Sequence, residues 1–137
     1  MKLNPYLSFD GNCEEALNFY AQCLNGEIVN LKRFIEMPGS TEEQKNLVMH
    51  GILKFGGDCI LFASDGSKIP STEKNNNISL SIDFDSIEEI NNAFEKMSEG
   101  GKVTMELQDT FWGARFGMCT DKYGIAWLFN HDMPKKG

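Results

Sequence analysis

The sequence predicts an α+β fold made of two copies of one strand-helix-strand-strand-strand unit, with curled sheets forming a cup. Three observations carry that prediction. A series of strand, helix cap, apolar helix face, stop and returning strand occurs twice, at an offset of 73 to 74 residues. Each copy opens its helix with a capping box, and one helix on one sheet is a stable two-layer arrangement. The last stretch, residues 111–130 (FWGARFGMCTDKYGIAWLFN), reads as two strands joined at Asp121-Lys122-Tyr123-Gly124. Phe111, Trp112, Phe116, Trp127 and Phe129 fall on those strands and Tyr123 on the turn, so the ribbon is too apolar to stand alone.

The first unit, residues 1–66, starts with a strand over residues 4–10, where Leu7 and Phe9 alternate with Tyr6 and Ser8. Asn12 is the expected N-cap, and Glu15 three residues on completes the box. Cys13, Ala16, Leu17, Tyr20 and Leu24 then recur on one helical face, and Asn25-Gly26 supplies a left-handed stop. Residues 27–35 return as a strand. A polar loop, residues 36–46, leads to strands at 47–55 and 58–64 joined at Gly56-Gly57. Residues 67–76 have linker composition.

The second unit, residues 77–131, repeats the plan. Residues 78–83 match the opening strand, and Ser86 with Glu89 forms the second capping box. Ile87, Ile90, Phe94 and Met97 take the places of Cys13, Ala16, Tyr20 and Cys23. Gly100 answers Gly26, Val103 answers Val29, and residues 102–108 return as a strand before the aromatic ribbon closes the unit.

The 137 residues suit one compact domain, or two small halves sharing a core. A net charge of −7 argues against nucleic acid, whose phosphates need a basic face, and disfavours anionic membranes. No apolar run approaches a membrane span, and the first fifteen residues lack the apolar core of a signal peptide, so the expected location is the cytoplasm. Cys13, Cys23, Cys59 and Cys119 form no CxxC pair and read as four reduced, buried thiols.

Several motifs carry a resemblance across nearly the whole chain. They are Pro5-Tyr6-Leu7-x-Phe9, Cys13-Glu14-Glu15-Ala16-Leu17-x-Phe19-Tyr20, Met49-His50, Gly56-Gly57, Ser64-Asp65, Phe111-Trp112-Gly113 and Asp121-x-Tyr123-Gly124-x-x-Trp127. With them the chain resembles the PhnB-like group of the vicinal-oxygen-chelate superfamily, which includes glyoxalases, bleomycin and fosfomycin resistance proteins and extradiol dioxygenases. The resemblance implies paired modules enclosing a small-molecule cavity, and a homodimer. Some members carry the label of a ubiquinone methyltransferase. No glycine-rich strand-to-helix loop for S-adenosylmethionine is found here, so that label is discounted.

The superfamily's enzymes hold a divalent metal with His and Glu side chains. Counted from the matching motifs, the ligand places fall on Pro5, Asn77, residues 59–63 (CILFA) and Leu128, none of them His or carboxylate. A one-residue slip would admit only Asn4 or Asn130. No metal and no cofactor are therefore expected. His50, which shares a strand face with Val48 and Ile52, is the candidate acid, base or hydrogen-bond donor, against a purely structural role. His131 follows the last strand and is expected to be solvated. Trp112, Phe116, Tyr123 and Trp127 are candidates for an aromatic ligand wall, and Arg115 for an anionic group, against core packing and a solvated cation. Glu14-Glu15 and Glu88-Glu89 read as cap residues.

The expectation is a small-molecule-binding protein without the superfamily metal. The alternatives are a metal-dependent lyase or dioxygenase with unrecognised ligands, and a structural dimer with a vestigial cavity. Whether a reaction is catalysed stays open.

Overall fold

The computed structural model describes residues 1–65 and 78–134. The linker expected at residues 67–76 and the metal place expected at Asn77 lie outside the described residues. The chain divides into two compact units, Met1–Glu73 and Lys74–Gly137.

Unit 1 contains β1 (Tyr6–Phe9), α1 (Cys13–Leu24), β2 (Glu27–Arg33), β3 (Val48–Phe55) and β4 (Cys59–Asp65). The sheet order is β1-β4-β3-β2, with β1 parallel to β4 and the other neighbours antiparallel. Helix α1 lies on one face and buries Cys13, Ala16, Leu17, Tyr20 and Cys23. The sheet meets them with Phe9, Leu53, Leu61 and Ala63, all buried. Removing each large apolar side chain from water stabilises the unit by about 1.5–3 kcal/mol. Close approach needs Gly51, since a Cβ there would stand 2.6 Å from Leu17 Cδ1.

Unit 2 repeats the order with β5 (Leu80–Asp83), α2 (Ile87–Ser98), β6 (Lys102–Asp109), β7 (Ala114–Thr120) and β8 (Ala126–Asp132). Its sheet order is β5-β8-β7-β6, again with the first pair parallel. Ile90, Ala93, Phe94 and Met97 of α2 are buried, as are Phe84, Cys119, Trp127 and Phe129. Phe94 meets Phe129 edge-on at 5.0 Å between centroids, a favoured aromatic geometry. Gly117 stands where Gly51 does in unit 1, its missing Cβ only 2.9 Å from Phe94 Cε2.

The register shifts the sequence match within the repeat. Leu7 pairs with Ala63 beside Gly51, and Ile82 pairs with Phe129 beside Gly117. Ile82, not Leu80, is therefore the counterpart of Leu7. A two-residue slip keeps every side chain on its face, so alternation alone does not expose it. At the helix stops, Asn25 (φ 52°) and Gly100 (φ 75°) take the left-handed conformation, so Gly100 answers Asn25. Ile28 and Val103, each paired just before a bulge, are the next equivalent positions, rather than Val29 and Val103.

Four further expectations are corrected. Asn12 makes no side-chain cap bond, whereas Ser86 Oγ accepts from Glu89 N as expected. Phe111 and Trp112 lie in the turn between β6 and β7, 97% and 57% exposed, because Thr110 and Ala114 close that turn through backbone and hydroxyl hydrogen bonds. Cys59 is exposed beside the β3–β4 turn, while the other three cysteines are buried, and none of the four is in a disulfide. His131 lies within β8 and is half-buried, its Nδ1 2.7 Å from the Phe84 carbonyl. That contact needs Nδ1–H to donate. Among the described residues, no helix is long and apolar enough to cross a membrane.

Candidate functional site

In each unit the helix covers one face of the sheet. The other face of the unit 1 sheet carries the most chemically varied side chains. Paired residues on neighbouring strands lie on the same side, so the register assigns them in rows. Tyr6, Phe62, Ile52 and Asn30 make one row across β1, β4, β3 and β2. The next row is Ser8, Ser64, His50 and Lys32: Ser8 pairs with Ser64, Lys32 with His50, and the β3–β4 ladder brings His50 level with Ser64.

Three rings meet there. Tyr6 and His50 have centroids 5.7 Å apart, His50 and Phe62 5.3 Å, and Tyr6 and Phe62 6.0 Å. The Tyr6 hydroxyl lies 3.1 Å from His50 Nδ1. With Tyr6 donating, the imidazole is neutral and carries its proton on Nε2, leaving that N–H as a donor. Tyr6 is 50% exposed and His50 half-buried, so the cluster is open at one side. The sequence pointed to His50 but missed Tyr6 and Phe62, although Tyr6 stood in the Pro5-Tyr6-Leu7 motif. What brings them together is the parallel pairing of β1 with β4, and no local pattern announces it.

Directly beneath, on the helix side, Asp65 accepts backbone N–H groups at the start of α1, beside Asn12, which makes no side-chain cap bond. Asp65 Oδ1 accepts from Gly11 N at 2.8 Å and Cys13 N at 3.0 Å, and its Oδ2 accepts from Val48 N at 2.9 Å. A carboxylate at a helix N-terminus also meets the positive end of the helix dipole. Burial pushes the Cys13 thiol up to about 12, with Asp65 and Glu14 adding repulsion, so it stays protonated. Glu14 accepts from Arg33 at 2.8 Å, and that hydrogen bond holds its carboxyl below the usual range.

The five aromatic and basic candidates do not converge. Trp112 and Phe116 touch, with centroids 6.1 Å apart, and Trp112 also meets Phe111. Trp127 is 1% exposed in the helix-facing core, its Nε1 donating to Asp121 Oδ2 at 2.8 Å. Tyr123 lies in the turn between β7 and β8, where its N–H donates to Asp121 Oδ1. Arg115 is held by Asp109 at 2.9 Å and Asn91 at 2.8 Å. Asp121 thus anchors Tyr123 and Trp127 as part of the fold.

The family's metal places hold side chains that do not fit a divalent ion. The Pro5 carbonyl accepts from Phe62 N, while Ile60 and Phe62 stand on the open face of β4. Leu128 pairs with Ser81 and Met118. The Asn130 amide nitrogen donates to Asp83 at 2.9 Å and Asp132 at 3.2 Å. Among the described residues, no three His, Cys, Asp or Glu side chains gather as metal ligands.

Comparison with known proteins agrees with this architecture. The family described as 3-demethylubiquinone-9 3-methyltransferase matches residues 1–129. Protein YjdN of Escherichia coli (strain K12) is 31% identical over 142 residues, covering 95% of each chain. Protein PA1353 from Pseudomonas aeruginosa is similar in structure with a TM-score of 0.84 and 37% identity, over 98% of this chain and 99% of that one. The PhnB protein from Bacillus cereus has a TM-score of 0.79 and 27% identity, over 96% and 99%. At 13% identity and a TM-score of 0.71, over 100% and 93%, a glyoxylase/bleomycin resistance protein/dioxygenase domain from Frankia sp. EAN1pec shares the fold alone. The chain therefore belongs to the family described as 3-demethylubiquinone-9 3-methyltransferase, a PhnB-like group with the fold of the glyoxalase/bleomycin resistance superfamily.

Proposed function

We propose that this chain is a small-molecule-binding protein of the PhnB-like group that works without the superfamily's catalytic metal. The observation that carries the reading is the open three-ring cluster of Tyr6, His50 and Phe62 on the helix-free face of the unit 1 sheet. Rings offer stacking surface at small entropic cost, and His50 Nε2 supplies a directed hydrogen bond. Trp112 and Phe116 form a second aromatic contact available to a ligand.

The family description names methyl transfer. The residues here favour binding instead. A methyl-donor nucleotide site of the familiar kind uses free backbone N–H groups at a glycine-rich helix start. At α1 the N–H groups of Gly11 and Cys13 are already taken by Asp65. At α2, Ser86 takes the N–H of Glu89.

A thermal-shift screen of small molecules tests the reading, because a ligand that binds the native state raises the melting temperature. His50→Ala is expected to abolish the shift given by the best ligand while leaving the fold nearly as stable. A stable His50→Ala protein with an unchanged ligand response removes His50 from the site. Destabilisation by about 1–3 kcal/mol would instead mark His50 as structural.

A further inference from the structure

We infer that the Ser8–Ser64–His50–Lys32 row is an oxyanion subsite, and that the ligand is an amphipathic molecule with a carboxylate- or phosphate-type head and an aromatic or apolar body. This rests on the small-molecule reading above and narrows its ligand class.

The two adjacent rows divide the chemistry. One row, Tyr6–Phe62–Ile52–Asn30, offers two rings and an aliphatic side chain to an apolar body. The other offers two hydroxyls, an imidazole and an ammonium, which together can only favour negative charge when they act as donors. Ser64 is 8% exposed and pairs with Ser8, so the two side chains stand side by side on this face. Hydroxyls held level on neighbouring strands, with an imidazole and an ammonium in the same row, make a set of donors from which one oxyanion can accept. His50 adds Nε2–H in the tautomer that Tyr6 favours. Lys32 closes the row at the exposed edge strand, where its ammonium supplies the charge.

Charge supports the assignment. The chain carries −7 overall, yet neither row contains a carboxylate. Glu27, the acid paired on β2, sits opposite Lys54 beyond the apolar row. An anion approaching the polar row thus meets Lys32, two hydroxyls and the His50 ring, without like-charge repulsion from the row itself.

The test is isothermal titration with three probes that share one body: 3-phenylpropionate, 3-phenylpropionamide and 3-phenylpropylamine. The carboxylate is expected to bind at least about tenfold more tightly than the amide, and the amine more weakly than both. Lys32→Gln should weaken the carboxylate about two- to fivefold and leave the amide unchanged, as an exposed ion pair contributes. Ser64→Ala should cost the carboxylate about tenfold, as a lost hydrogen bond to a charged group does. Shifts of the backbone N–H signals should map to Ser8, Ser64 and His50. Equal affinity for carboxylate and amide overturns the subsite and leaves the broader binding reading standing. Failure of all three probes at millimolar concentration also overturns it. The thermal-shift screen then judges the broader reading separately.

Discussion

At position 65 one carboxylate connects three places in the chain. Gly11, Cys13 and Val48 all donate backbone N–H groups to it. Asp65→Asn keeps the shape but turns an NH2 group toward one of those donors. It is expected to lower stability by about 2–3 kcal/mol, read by urea unfolding. A loss under about 0.5 kcal/mol would contradict the role. The sequence displayed Ser64-Asp65 as a motif but not its use, since a buried carboxylate's partners depend on which strands pair. The cysteines give a second check at this scale. Cys59 is exposed, whereas Cys13, Cys23 and Cys119 are buried, and burial raises the thiol pKa of both Cys13 and Cys119. Native protein at about pH 8 should take up one equivalent of iodoacetamide quickly, at Cys59, and the rest only on unfolding. Rapid labelling of Cys13 would show that the β1–α1 junction opens.

The two helices make a matched pair with different caps. Both are amphipathic over the predicted positions, and a left-handed residue follows each, Asn25 directly after α1 and Gly100 one residue beyond the extended Glu99 after α2. Those features were legible because helical spacing and left-handed stops are local. The first cap was not legible: Asn12 has a suitable side chain but makes no cap bond, and Asp65 of β4 instead takes the neighbouring N–H groups of Gly11 and Cys13. Ser86 does accept from the Glu89 N–H. Ser86→Ala should therefore cost about 1 kcal/mol, and Asn12→Ala no more than about 0.3 kcal/mol, both measured by chemical denaturation. Equal losses would mean that Asn12 caps in solution. The aromatic ribbon divides in the same way. Trp127 and Phe129 are core residues, as alternation on β8 requires, while Phe111 and Trp112 project from a turn that the alternating pattern ran through.

For the whole chain, the repeated architecture was legible because each unit closes over its own helix, and the face we propose for ligand binding was not. Tyr6, His50 and Phe62 meet only when β1 lies beside β4, a pairing between distant parts of the sequence. The exposed Phe111 and Trp112 support our proposal of a homodimer, since isolated apolar patches favour association. Sedimentation equilibrium at micromolar protein should report twice the 15.4 kDa chain mass, with an interface above about 1,000 Å². A monomer there would refute the dimer. The central claim is binding without a metal, and titration of the best thermal-shift ligand into untreated and EDTA-treated protein tests it most directly. The account predicts the same affinity and stoichiometry in both, with no stoichiometric Zn, Ni, Mn or Fe in the untreated sample. Binding that disappears with the chelator and returns with one equivalent of a divalent metal would contradict it.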